Sequence, residues 1–315
     1  MIFGRRNFLF GAAVAAVTSA ARIDSLRAQQ AVPNSAGTDL PKLKVPADAC
    51  DCHFHVYDPM RFPIKAGVSI PNASLAEYRL LQKRIGTSRG IVVTPAPYQT
   101  DNRVTLDAVA QLGPNGRGVA VVDPTITEPE LKALNDSGIR GIRFTQNPQA
   151  TATNVDMIEP LSKRVSELGW NVQISMSTDQ IAKLADLWQR LPSRIVFDHL
   201  GRLQSLGVEH PALGVIRGLI DKGQTWVKLS APYIDSKVGP PTYADASAVV
   251  QALVRLAPDR MVWGSDWPHP SLDAAHKPDD ATLVDLLAEW APDEATRHRI
   301  LVENPIALYG FAKSS

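Results

Sequence analysis

Short runs of β-branched and apolar residues recur along the chain from residue 49 onwards, and each is followed by a stretch with helical spacing. The runs occupy residues 49–54, 90–94, 118–123, 138–144, 170–175, 194–198, 225–230 and 260–264. Behind a Ser74 cap, Leu75, Tyr78, Leu81 and Ile85 fall on one helical face, as do Ile181, Leu184 and Trp188 within 177–191. Helical patterns over 279–290 and 293–302 close the series. Strands that alternate with helices are joined as parallel βαβ units. Eight units in one stretch predict a single-domain α/β fold, a (β/α)8 TIM barrel over residues 48–315, rather than an open doubly wound sheet with a second domain.

The N-terminal residues break this pattern. Arg5-Arg6-Asn7-Phe8-Leu9-Phe10 precede a run of small apolar residues from 11 to 21, and Leu26-Arg27-Ala28 offers a small residue for cleavage. Paired arginines ahead of a short, weakly hydrophobic segment predict a twin-arginine export signal over residues 1–28. The run has no polar face that would make it a surface amphipathic helix. Export predicts a periplasmic or secreted protein and the twin-arginine machinery as a partner. Residues 29–47 are polar and proline-bearing, which predicts an extended tether. No apolar stretch reaches the 18 or so residues of a membrane span.

Composition narrows the function. The chain has 315 residues, 44% of them hydrophobic, enough for a substantial core. Its 33 Lys and Arg against 32 Asp and Glu give a net charge of +1, which becomes −2 once residues 1–28 are set aside. Such a balance has no electrostatic footprint for nucleic acid. The two cysteines, Cys50 and Cys52, stand one residue apart, a spacing unsuited to a mutual bridge. Cys52 reads as a small buried thiol without a role.

The C-terminal ends of barrel strands form the mouth where active sites are built. The first run ends Asp51-Cys52-His53-Phe54-His55, the sixth ends Asp198-His199-Leu200-Gly201-Arg202, and the eighth ends Trp263-Gly264-Ser265-Asp266-Trp267-Pro268-His269. Histidines at i and i+2 on a strand project from one face, so His53 and His55 meet one metal or one carbonyl. His199 and Asp266 arrive at the same mouth from other strands.

These motifs, with Glu303-Asn304-Pro305 and Leu308-Tyr309, resemble the amidohydrolase-related TIM-barrel family over residues 51 to about 311. Within it the chain is similar to the 2-pyrone-4,6-dicarboxylate lactonase and D-galactarolactone isomerase branches. The zinc-binding pattern of the family adds a histidine from the fifth strand, and the fifth run here, Asn171-Val172-Gln173-Ile174-Ser175, has none. The resemblance to the lactonase branch implies ester hydrolysis with no required cofactor. The alternative is one divalent metal, zinc first, on His53, His55, Asp266 and His199.

Opening a lactone requires a base for water and donors for the oxyanion. Asp266 is assigned the first task, and His53, His55 and His199 the second, as ring N–H donors to the carbonyl. Alternation puts Arg143 on the mouth-facing side of its strand and Arg140 on the other. Arg143 and Arg202 read as clamps for an acidic substrate because a guanidinium fork matches a carboxylate, and the resemblance implies the same for Arg202. Lys228, Ser230, Tyr57, Tyr98 and Gln173 complete the expected substrate shell, with Tyr233 nearby in a loop. His269 reads as a residue that steadies its loop. The leading expectation is a hydrolase of a small anionic lactone. A sugar-acid lactone isomerase follows, since Tyr78-Arg79 and Asp101-Asn102 also match that branch. A metal-dependent hydrolase or decarboxylase and a non-enzymatic periplasmic sugar-acid binding protein are the remaining alternatives.

Overall fold

Eight parallel strands alternate with helices in the computed structural model, which describes residue 1 and residues 31–64, 70, 72–146 and 151–313. Apart from Met1, the expected export signal lies outside the described residues. The strands are β1 (Cys50–Phe54), β2 (Arg89–Val93), β3 (Gly116–Ala120), β4 (Ile139–Thr145), β5 (Asn171–Ser175), β6 (Arg194–Phe197), β7 (Thr225–Ser230) and β8 (Met261–Gly264). They pair in sequence order, β1 with β2 through to β7 with β8. Just beyond β8 the ring closes: Asp266 N donates to His53 O and His55 N donates to Trp267 O, both at 2.8 Å. Ser265 adds two hydrogen bonds to the Asp51 carboxylate, from its backbone N at 2.9 Å and its Oγ at 2.6 Å. Gly264 makes this approach possible, because a Cβ there would lie 2.7 Å from His53 Cβ and 2.8 Å from His53 N.

The α-helices are α1 (Leu75–Ile85), α2 (Arg103–Leu112), α3 (Glu128–Asp136), α4 (Ile158–Ser166), α5 (Thr178–Lys183), α6 (Ala185–Arg190), α7 (Pro211–Asp221), α8 (Ala244–Leu256), α9 (Asp280–Trp290), α10 (Glu294–His298) and α11 (Asn304–Tyr309). Ser74 caps α1 in a reciprocal capping box with Glu77. The helix expected over 177–191 is two short ones, broken where Leu184 leaves helical geometry. The one expected over 293–302 is α10 followed by a wide π turn into α11.

Two apolar layers result. Phe54, Ile142, Phe144, Val172 and Phe197 face the helices, whereas Ile91, Val93, Val119, Val196 and Val262 fill the barrel interior with Leu308, Tyr309 and Phe311 from the C-terminal segment. Arg89, Arg117 and Arg194 donate to the carbonyls of Ala312, Gly310 and Ala307, tying that segment under the barrel. Residues 31–47, expected as a tether, contain no helix or strand and lie docked against the barrel. Val32 is buried, Trp267 Nε1 donates to Pro33 O at 2.8 Å, and Leu43 N donates to Asp285 at 2.8 Å. Arg84 reaches Ser35, Ala36, Asp39 and Asp279. No helix among the described residues is long and apolar enough to cross a membrane.

Candidate active site

β1 is irregular. Its register against β2 shifts between Asp51 and Phe54. The shift turns His53 toward the barrel axis although Cys52, the residue before it, also packs in the interior, which simple alternation forbids. Phe54 faces outward and stacks on Tyr78 at 3.4 Å between centroids, so His55 points inward again. Asp51 anchors the bend. Burial pushes its carboxyl up to about 6 against the hydrogen bonds it accepts from Ser265, His53 N and Tyr78.

After β6 the backbone turns sharply through left-handed conformations at His199, Leu200, Gly201 and Arg202, and Asp266 after β8 has φ +62°. Non-glycine residues adopt this region at a cost of about 1–2 kcal/mol each, and such strain gathers at functional sites. These turns carry His199 and Asp266 over the end of the barrel. Nε2 of His53 and of His55 are 3.2 Å apart, and each is 3.5 Å from Asp266 Oδ1, with His199 Nε2 at 3.9 Å. All four side chains are buried. Asp266 Oδ1 has no hydrogen-bond partner among the described residues, whereas Oδ2 accepts from Tyr233 at 2.8 Å.

Above them lies a cavity of about 390 Å³. His55, His199 and Asp266 form its floor, and Tyr57, Arg143, Thr145, Ser175 and Arg202 stand among its walls. Arg143 also pairs through Nε with Asp198 at 2.8 Å, and Arg202 with Asp235 at 2.6 Å. Four expected substrate contacts do not line the cavity. Lys228 and Gln173 are fully buried beneath His53, where Lys228 Nζ lies 2.6 Å from Gln173 Oε1, 2.9 Å from His53 Nδ1 and 3.1 Å from Asp198 Oδ1. Ser230 Oγ is 2.9 Å from His199 Nδ1. Tyr98 accepts from Asp58 N at 3.0 Å and so steadies the loop that carries Tyr57. Strand alternation aimed the three β5 and β7 side chains inward, but their depth along the barrel axis put them under the site. Tyr233 likewise stands behind Asp266. Asp198, which joins Arg143 to Lys228, has no role in the sequence reading although it adjoins His199.

Hydrogen-bond partners assign the histidine tautomers. His55 Nδ1 is 2.8 Å from Val93 O, so its hydrogen is on Nδ1 and Nε2 offers a lone pair. An ammonium at Lys228 can only donate, so His53 Nδ1, 2.9 Å away, accepts from it. The hydrogen of His53 is then on Nε2. Burial and the adjacent Lys228 keep His53 well below the usual imidazole range, and burial lowers His199 to about 4. Burial alone would raise Asp266, but its imidazole neighbours, His199 first, hold it well below the usual carboxylate range. Burial lowers Lys228, opposed by Asp198.

Among the described residues, two groups of donors lie close enough to hold an ion: His53, Asp198 and His199, and His53, His55 and Asp266. The edges of the second group, 3.2 to 3.5 Å, match a tetrahedral ion with bonds of about 2.0–2.2 Å. The protonation pattern does not match. Both groups need His53, whose Nδ1 lone pair faces an ammonium and whose Nε2 carries the hydrogen. A metal-bound histidine instead donates its other N–H to an acceptor. With Lys228 as an ammonium, the protonation pattern of these residues does not fit a resident metal.

Relatives agree with the architecture. Residues 50–311 match the amidohydrolase family. The chain is 36% identical over 273 residues to 4-sulfomuconolactone hydrolase of Rhizobium radiobacter, covering 84% of this chain and 91% of that protein. It is 34% identical over 274 residues to D-galactarolactone isomerase of Agrobacterium fabrum, covering 85% and 93%. To 2-pyrone-4,6-dicarboxylate hydrolase of Comamonas testosteroni it is 34% identical over 282 residues, covering 85% and 92%. With the barrel, the strand-end histidines and aspartate, and these matches over nearly its whole folded length, the chain belongs to the amidohydrolase family of enzymes.

Proposed function

We propose that this enzyme hydrolyses a small lactone bearing a carboxylate, without a metal. The observation that supports this most is Asp266 Oδ1, which has no hydrogen-bond partner among the described residues and lies with His55 and His199 on the floor of a cavity whose walls carry Arg143 and Arg202, His53 being buried 3.5 Å from the same oxygen. The names of the relatives, two lactone hydrolases and a lactone isomerase, support the same bond type. Water placed between Asp266 Oδ1 and the lone pair of His55 Nε2 gives its proton to Asp266 as its oxygen bonds to the lactone carbonyl carbon. His53 Nε2–H donates to the resulting oxyanion, and His199 serves the same oxygen when Ser230 donates to its Nδ1. Collapse breaks the ring C–O bond, and the leaving oxygen takes the proton from Asp266. Water and lactone become one ring-opened hydroxy acid or its tautomer. His55 thus orients water rather than polarising the carbonyl, in contrast to the role expected for all three histidines. The guanidinium groups of Arg143 and Arg202 hold the substrate carboxylate.

The test is turnover of a panel of pyrone and aldarate lactones in ¹⁸O-water with chelator present. One ¹⁸O in a ring-opened acid is expected. An unlabelled isomer would establish the isomerase reading instead, and carbon dioxide release that needs added metal would establish a decarboxylase. Asp266→Asn is expected to lower kcat by at least about 10³-fold, and full turnover by that variant refutes the mechanism. Ligand binding with no turnover of any lactone would leave a sugar-acid binding protein. The Arg5-Arg6 motif supports export to the periplasm or medium by the twin-arginine machinery, which cell fractionation tests through recovery of the chain without residues 1–28.

A further inference from the structure

Behind Asp266 runs a line of polar groups, half-buried at Tyr233 and fully buried beyond it, that the hydrolysis scheme does not use. Tyr233 OH is 2.8 Å from Asp266 Oδ2 and 2.9 Å from His269 Nδ1, and His269 Nε2 is 3.1 Å from Asp280 Oδ2. His269 and Asp280 have no solvent exposure. The loop that carries His269 is fastened by its backbone N to Asp266 O at 2.7 Å and by Lys277 Nζ to the carbonyls of Pro268, His269 and Leu272. At the far end, Asp280 N lies 3.4 Å from Ser35 Oγ of the docked N-terminal segment.

Counting hydrogens fixes the polarity of the line. An ionised Asp266 only accepts, so the single hydrogen of Tyr233 points to Oδ2. The tyrosine oxygen must then accept, and His269 Nδ1 must carry a hydrogen. The other ring nitrogen, Nε2, is held by Asp280 Oδ2 at 3.1 Å. We propose that Asp280, His269 and Tyr233 are positioning residues for Asp266: the line pins Oδ2, holds the carboxylate in the left-handed turn after β8, and reserves Oδ1 for the proton of the attacking water. The inference rests on the reading of Asp266 as the base. His269 thereby has a task beyond steadying its loop, and Tyr233 acts through Asp266 rather than on substrate.

Two measurements on the full chain test it. In the wild type, ¹⁵N NMR of the histidines should show His269 with a hydrogen on Nδ1, and a lone pair on that nitrogen overturns the proposal whatever the substrate. In kinetics with a lactone that the wild type opens, Tyr233→Phe should lower kcat about 10- to 100-fold with KM little changed. The acid limb of kcat should move to higher pH, because a donor to the ionised carboxylate is lost. His269→Asn keeps a side-chain N–H near the Nδ1 position and should retain more activity than His269→Leu, which a purely packing role does not predict. If Asp266→Asn abolishes turnover while Tyr233→Phe keeps the wild-type kcat and acid limb, the positioning line is wrong and the base stands. If Asp266→Asn retains turnover, the base reading fails on its own and the line loses its purpose.

Discussion

Replacing Lys228 by Met asks what the ammonium beneath His53 does. Lys228 has no solvent exposure and touches Gln173, His53 and Asp198 at 2.6, 2.9 and 3.1 Å. Methionine fills similar space and removes the hydrogen bonds to His53 and Gln173 and the ion pair with Asp198. Of its lysine and arginine partners Asp198 then keeps Arg143, at 2.8 Å, and Gln173 Oε1 loses its donor. Breaking a buried pair from one side costs about 3–5 kcal/mol, and the surviving arginine places this case near the lower end, about 3 kcal/mol. The effect on rate has a separate origin. Without Lys228, the hydrogen of His53 can move to Nδ1, where Asp198 Oδ1 at 3.5 Å accepts it, and Nε2 loses the hydrogen it gives to the oxyanion. Loss of one oxyanion donor lowers kcat by about 10²–10³-fold. The same shift frees His53 Nε2 as a ligand, so the variant should bind zinc on His53, His55 and Asp266 whereas the wild type should not. Urea unfolding, initial rates and calorimetric zinc titration read the three consequences. A variant with kcat within threefold of wild type, or a wild type that binds stoichiometric zinc as tightly as the variant, refutes the tautomer argument.

Other residues give further checks. His199 is lowered to about 4 from its ordinary 6.5, so the unfolded chain binds more protons between those values and stability falls as pH falls through that window. The gap is worth about 3 kcal/mol. The stability difference between wild type and His199→Asn, from urea unfolding, should shrink by about that amount from pH 7 to pH 4, since the opposite contribution of Asp51 is common to both; a pH-independent difference contradicts the assignment. Gly264→Ala should destabilise by about 1–3 kcal/mol through its clash with His53 at the barrel closure, and an unchanged melting temperature would show that β1 and β8 can move apart. Arg202→Ala removes a half-exposed ion pair with Asp235 and should change stability by less than about 1 kcal/mol. It should raise KM for a carboxylated lactone about tenfold or more while sparing the methyl ester. Equal effects on acid and ester would remove Arg202 from carboxylate recognition.

The fold was legible because it repeats. Eight apolar runs separated by helical spacing are local signals, and the (β/α)8 order follows once each strand must bury both faces. The strand-end motifs were legible for a related reason. A barrel delivers the end of every strand to one mouth, so His53, His55, His199 and Asp266 converge wherever their strands are found. Helix lengths were less legible. Leu184 fits the apolar face of a continuous 177–191 helix, and nothing local announces the break there. Residues 31–47 carry no periodicity, and their docking depends on distant partners such as Arg84, Trp267 and Asp285.

The sequence by itself determined which strands supply chemistry and which residue types arrive, because both follow from local pattern and from the one-ended geometry of the barrel. Only the tertiary structure decided depth and protonation. Alternation states which way a side chain points but not how far along the axis it sits, so Lys228, Gln173 and Ser230 lie under the site rather than at its rim. The shift in β1 lets Cys52 and His53 both face inward, against the period of two. Which nitrogen of each histidine carries a hydrogen is set by partners from other strands, Val93 for His55 and Lys228 for His53. A hydrogen-bond partner nearly forty or more residues away leaves no trace in the local pattern, and it decides whether an imidazole donates, accepts or holds a metal.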